Sequence, residues 1–259
     1  MFKIAWLYFR VGVLNELQYR VNFFVQLLKS LITLGTGIIG LEVVFSHTTT
    51  LSGWTRPDLL AVMGVYTLMG GLINISIQPN MQQLLEDVQQ GTFDYVLTKP
   101  ADAQLQVSVR KVQIWSVTDI LLGLGVLVYA ITQLQEGIGL LQALIFVALL
   151  LMGGLMIYSF WLIMTTGAFW IVRMDNILDL FQGVYQAGRW PVAIYPTWLQ
   201  LGLTFIVPVA FAVTVPAEDI TGRLTGGTFL ETLVVTILLL AFSRWFWRFG
   251  LKRYSGASS

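Results

Sequence analysis

The chain has 259 residues, 56% of them hydrophobic and 11% charged, and its mean hydropathy is +0.74. A soluble domain carries about 25% charged residues, so a water-facing surface of this size is excluded, and a net charge of +1 leaves no basic field for nucleic acid. The absence of cysteine excludes disulfides, thiol catalysis and Cys-ligated zinc, and the single histidine, His47, excludes a His-rich metal site within the chain. An all-α polytopic membrane protein remains, a single transmembrane domain over residues 1–259.

In chain order, residues 1–22 predict an amphipathic entry helix rather than a signal peptide, since the apolar run that follows is long and no small-residue cleavage site ends it. About 20 apolar residues cross the hydrocarbon. Runs at about 23–45, 59–78, 113–132, 140–172 and 228–249 meet that length. The fourth run is longer than a crossing needs, so it tilts, protrudes or breaks at Gly153-Gly154. The remaining crossing lies at either 174–190 or 198–215, because four prolines (Pro191, Pro196, Pro208 and Pro216) rule out one clean helix there. Six crossings put both termini on one side. Lys3, Arg10, Arg20, Lys99, Arg110, Lys111, Arg173, Arg244, Arg248, Lys252 and Arg253 share that side, against Arg56 and Arg223 on the other. The basic side is therefore expected to be cytoplasmic. Asp119, near Arg110 and Lys111 in sequence, is expected to pair with one of them at the interface, and Lys29 to snorkel there.

Two stripes of polar and small residues run at helical spacing. The first is Asn15, Gln18, Asn22, Gln26, Lys29, Thr33, Thr36 and Gly40; the second is Gly64, Thr67, Gly71, Asn74 and Gln78. Steps of three and four keep each stripe on one helix face. Such faces meet other helices or border a wet path, and both readings stand for Gln26, Lys29, Thr33, Thr36, Thr67, Gly71, Asn74 and Gln78.

The loop after the second run, residues 79–112, predicts a short amphipathic helix at 80–90 whose apolar face is Met81, Leu84, Leu85 and Val88, closed by Gly91. It carries two acids and no base, which favours a protein partner over a lipid surface. The wording VQQGTFDYVLTKPAD resembles a motif of bacterial ATP-binding-cassette permeases of the type-two, export-associated class. Gly91, Phe93, Asp94, Val96, Leu97, Lys99 and Pro100 stand at its positions. The resemblance extends through the amphipathic start, the spans and the stretch YPTWLQLGLTFIVPVAFAVTVPAEDITG. It implies a dimer with a related or identical permease, a cytoplasmic ATP-binding subunit and a bacterial inner-membrane location. It also implies an ATPase-coupling role for Leu84, Leu85, Val88, Gly91, Phe93, Asp94, Lys99 and Pro100, and a partly re-entrant outer segment at 191–227, which favours 174–190 as the fifth crossing. No phosphate loop of the Gly-x-x-x-x-Gly-Lys-Ser/Thr kind is present, so no cofactor is expected on this chain, with ATP and Mg on the partner.

Two other functions are compatible with parts of the sequence. A secondary transporter would use a carboxylate inside the membrane, for which Asp119 is the candidate. A lipid-modifying enzyme would use Asp175 and Asp179, one helical turn apart, but lacks a second acidic cluster.

Overall fold

The computed structural model describes residues 10, 13–14, 20–134, 137–170 and 177–254, without the side chains of 20 and 177–179. Most of the amphipathic start, with Asn15 and Gln18, lies outside the described residues, as do Arg173 and the carboxylates of Asp175 and Asp179. Within them the chain is helical and free of strands, with one isolated bridge, Leu51 to Trp54.

Helix α1 covers Arg20–Phe45 and α2 covers Arg56–Gln89. Short helices α3 (Asp94–Leu97) and α4 (Ala103–Ser108) fill the next loop. Then come α5 (Ile114–Gln133), α6 (Leu140–Gly167) and α7 (Ile177–Ala187). A bent pair, α8 (Thr197–Ile206) and α9 (Ala210–Ile220), meets at 80°, and α10 runs over Gly226–Arg253. Five of these, α1, α2, α5, α6 and α10, are each long and apolar enough to cross a membrane. The bundle's near end carries α3 and α4; its far end carries the turns at 46–55 and 221–225.

Neither range predicted for the remaining crossing forms one continuous helix: α7 fills Ile177–Ala187, and 198–215 is broken by the 80° bend between α8 and α9. α7 rises from the near end, and Gly188 just beyond it lies against Val209, where an added Cβ would sit 2.4 Å from a valine methyl. From there α9 continues to the far end, where Gln142 of α6 donates to the Asp219 carbonyl. The excursion between them folds back on α9, and the Val192 N–H donates to Thr214 Oγ1. Pro208 stands at the bend. Pro216 removes one helical donor, and the preceding turn, Ala210–Thr214, widens to π geometry, which accommodates the missing bond.

Arginine latches close the far end. Arg56 pairs with Glu42. Arg223 donates to Asp58 at 2.7 Å and to the Gly53 carbonyl at 2.8 Å. Asp58 also accepts from the Thr55 N–H at the start of α2, so one carboxylate caps a helix and anchors the turn before α10.

α6 is unbroken through Gly153-Gly154 and stops at Gly167, short of the predicted 172. Gly153 serves a close approach instead: a Cβ there would lie 2.7 Å from the Ala212 Cα. The α2–α5 seam works the same way. Gly64 and Gly71 of α2 and Gly123 of α5 let two backbones meet where no side chain fits, the small-residue packing that substitutes for hydrophobic drive inside a bilayer.

The predicted surface helix at 80–90 is not a separate element. α2 runs 34 residues from Arg56 to Gln89, about 50 Å, through a π turn at Ile73–Ile77. The extra residue of that turn swings the following segment by roughly 100°. The face made by Met81, Leu84 and Leu85 is buried in the bundle, with Met81 Sδ 3.7 Å from Thr165 Oγ1 near the end of α6.

Candidate functional site

Helices α1, α2, α5 and α7 line an open-sided cavity of about 230 Å³. α1 contributes Gln26, Lys29, Ser30 and Thr33. α2 contributes Tyr66, Thr67, Asn74 and Gln78, α5 contributes Asp119, and α7 with the turn after it contributes Gln182, Gln186 and Arg189. Both stripes thus converge on one space, but each divides. Gly64 and Gly71 turn into the α5 seam while Thr67, Asn74 and Gln78 reach the cavity. Thr36 lies outside the lining, exposed and bonded back to the Thr33 carbonyl, and Leu34 takes part in its place. Asn74 sits inside the π turn, a distortion that recurs at functional positions.

The cavity's ionic groups differ from their predicted pairings. Asp119 pairs with neither Arg110 nor Lys111. It accepts from Gln26 Nε2 at 2.9 Å and from the Ser30 hydroxyl, tying α1 to α5. Arg110 binds Asp87 at 2.6 Å instead. Lys29 lines the cavity wall, and among the described residues it has no ion-pair partner. Arg189 lies over the Tyr66 ring, 5.6 Å from its centre. That ring stacks on Tyr185, whose hydroxyl donates to the Tyr66 carbonyl at 2.9 Å.

Arg189, Gln182, Gln186 and Tyr66 were not joined to the stripes in the sequence, although Gln182, Gln186 and Arg189 are spaced four and three apart and form a third polar face.

The near end is a rigid platform. Asn80, fully buried, donates to the carbonyls of Ser76 and Lys111, both at 2.7 Å, and accepts the Lys111 N–H. Gln113 N–H donates to the Ile75 carbonyl, so the returning chain is clipped to the π turn. Gly91 takes φ +68°, a left-handed stop that glycine adopts without strain. The Asp87 carbonyl then accepts from Thr92 and Phe93. Phe93 is fully buried, stacked on Phe169 and edge-on to Trp247 and Tyr254, which joins the loop to the ends of α6 and α10.

Of the eight residues expected to couple to a partner, Leu84, Leu85 and Phe93 are therefore interior, Val88, Gly91 and Asp94 are half-buried, and Lys99 and Pro100 are exposed. The large apolar side chains that face outward here are Tyr95 (72% exposed), Leu97 (40%) and Leu105 (51%). In the sequence Tyr95 and Leu97 are the off-phase residues of FDYVL, whose phase only the fold fixes.

Asp102 caps α4 through the Leu105 N–H and binds Arg244 of α10. The Arg244 guanidinium holds its carboxyl below the usual carboxylate range, against a smaller opposing effect of burial. A depressed carboxyl stabilises the fold above its unfolded value, and that contribution is lost as pH falls through the folded value. Asp102→Asn keeps the cap and removes the ion pair. It should cost about 1 kcal/mol at pH 7, as a partly exposed pair does, and the gap from wild type in thermal unfolding should close below about pH 4. A gap that persists at pH 3 would show that the pair is not its source.

Among the described residues, no three His, Asp or Glu side chains come together as a metal site. Neither the curated proteins nor the solved structures yield a match to the chain. The model of the ABC-2 family transporter protein matches residues 31–258. With its five long apolar helices and bent pair, the chain is a multi-pass membrane protein and belongs to the ABC-2 transporter family, as a permease component.

Proposed function

We propose that this permease exports a substrate across the bacterial plasma membrane, driven by a separate cytoplasmic subunit that binds ATP and Mg, and pairs with a second permease, related or identical. The near end faces the cytoplasm, because Lys99, Lys111, Arg244 and Arg248 gather there. The observation that carries this reading is the continuity of α2. One unhinged helix extends from Tyr66 and Thr67 in the cavity wall to Leu84 and Leu85 beneath the platform. A push on the platform therefore moves the cavity wall as one body, as a rigid-body transport cycle requires.

The cysteine-free background permits a direct test. Lys29→Cys, Thr33→Cys, Asn74→Cys and Gln186→Cys should label with a membrane-impermeant thiol reagent in inverted vesicles. Leu28→Cys and Ile32→Cys, on the outward face of α1, should not. Equal protection of both sets would refute a water-accessible path at this cavity.

A further inference from the structure

The charge of the cavity points to the class of molecule it takes. Arg189 lies deep in the bundle: its partner Tyr66 is ten residues into α2 from the far end, about 15 Å along the axis. A guanidinium at that depth costs several kcal/mol without an anionic partner. Among the described residues Arg189 has no carboxylate partner; it meets Tyr66 through both the ring and the hydroxyl, and that ring is already fixed by its stack on Tyr185. Lys29, on the facing wall, likewise has no ion pair among the described residues. The one carboxylate described in the lining, Asp119, is occupied by Gln26 and Ser30 on the α1–α5 side. Asp179 stands one turn below Gln182 on α7, toward the near end, and its side chain lies outside the described residues. Two cations thus face the same space, surrounded by amide and hydroxyl donors from Gln186, Gln182, Asn74 and Thr67. Arginine offers a planar fork matched to phosphate or carboxylate oxygens. The space of about 230 Å³ is open on one side and below the range of a whole drug-sized ligand, so a headgroup fits within it while the rest of an amphiphile extends outside.

We propose that the cavity binds the anionic headgroup of the transported molecule, of the phosphate or carboxylate class, with Arg189 as its principal ligand and Lys29 as the second cation. The assignment rests on the cavity being the transport path. The labelling experiment above tests the path alone, so a labelled cavity without anion preference would sink this inference and leave the path standing.

The test uses the full chain in nanodiscs of neutral lipid, with three probes in equilibrium binding: dodecyl phosphate, inorganic phosphate and dodecyltrimethylammonium. Dodecyl phosphate should bind in preference to the ammonium, and Arg189→Gln should weaken it about tenfold or more, as loss of a charge-assisted bidentate contact does. Arg189→Lys should recover part of the affinity, and Arg56→Gln, at the far end, should change nothing. If inorganic phosphate binds as tightly and with the same dependence on Arg189, the ligand is a free anion and the class holds. The proposal is overturned if the ammonium binds as well as the phosphate, if neither anion binds, or if Arg189→Gln leaves the dissociation constant within twofold. Should Arg189→Gln not fold, Lys29→Gln and the wild-type preference between the two amphiphiles decide the matter.

Discussion

Replacing Tyr95 and Leu97 together by aspartate should release the proposed ATP-binding partner while leaving the bundle folded. Both side chains project from the platform, at 72% and 40% exposure, so the charges enter water and folding stability should change by less than about 0.5 kcal/mol each. An aromatic anchor at an interface centre is worth about 2–4 kcal/mol, so loss of Tyr95, with Leu97 beside it, should weaken association at least about a hundredfold. Leu85→Glu, the change that the loop's amphipathic pattern first suggests, is a poor substitute. Leu85 is buried against the bundle, and an unpaired carboxylate there costs several kcal/mol, so lost coupling would only report misfolding. Co-purification of the double variant with its partner, beside an unfolding curve of the permease alone, separates the two causes. A partner retained within twofold of wild type, on a folded permease, would move the docking surface elsewhere.

The contrast between Leu85 and Tyr95 shows where the sequence stopped being legible. Length and hydropathy located the long helices, because bilayer thickness imposes an external ruler on them. They could not show that the second span continues through Gln89, since a π turn leaves no hydropathy signature yet rotates everything after it. The loop's apolar stripe at 81, 84, 85 and 88 was therefore visible, but its direction was not. The same limit applied to the polar stripes. Periodicity placed Thr67, Asn74 and Gln78 on one side of α2 with Gly64 and Gly71; only the approach of α5 separates seam from cavity. Hydropathy does not assign Arg189 to a wall, because it stands two residues past the end of α7, a helix of 11 residues that is too short to give a span's hydropathy signature.

Gly123→Ala should destabilise the protein far more than Gly125→Ala, two residues along the same helix. A Cβ on Gly123 would meet the Leu68 backbone nitrogen at 2.4 Å and the Gly64 carbonyl oxygen at 2.8 Å. Those are main-chain atoms of α2, so no rotamer change relieves them and the two helices must move apart. Overpacking of this kind costs about 1–3 kcal/mol. Here Gly64 and Gly71 would lose their close contacts with α5 as well, which places the effect at the upper end. Gly125 meets nothing within 4 Å, and alanine there should be neutral or gain up to about 1 kcal/mol through helix propensity. The difference reaches the cavity, because Asp119 is one turn below Gly123. Any separation of α5 from α2 pulls its carboxylate away from Gln26 and Ser30, and α1 loses its tie to α5. Thermal unfolding in detergent measures the first effect, and a double-mutant cycle of Gly123→Ala with Asp119→Ala measures the second, since a tie already broken costs nothing further to remove. Equal stability of the two alanine variants would mean that α2 and α5 are not held by a glycine seam, and the cavity would then need another explanation for its shape.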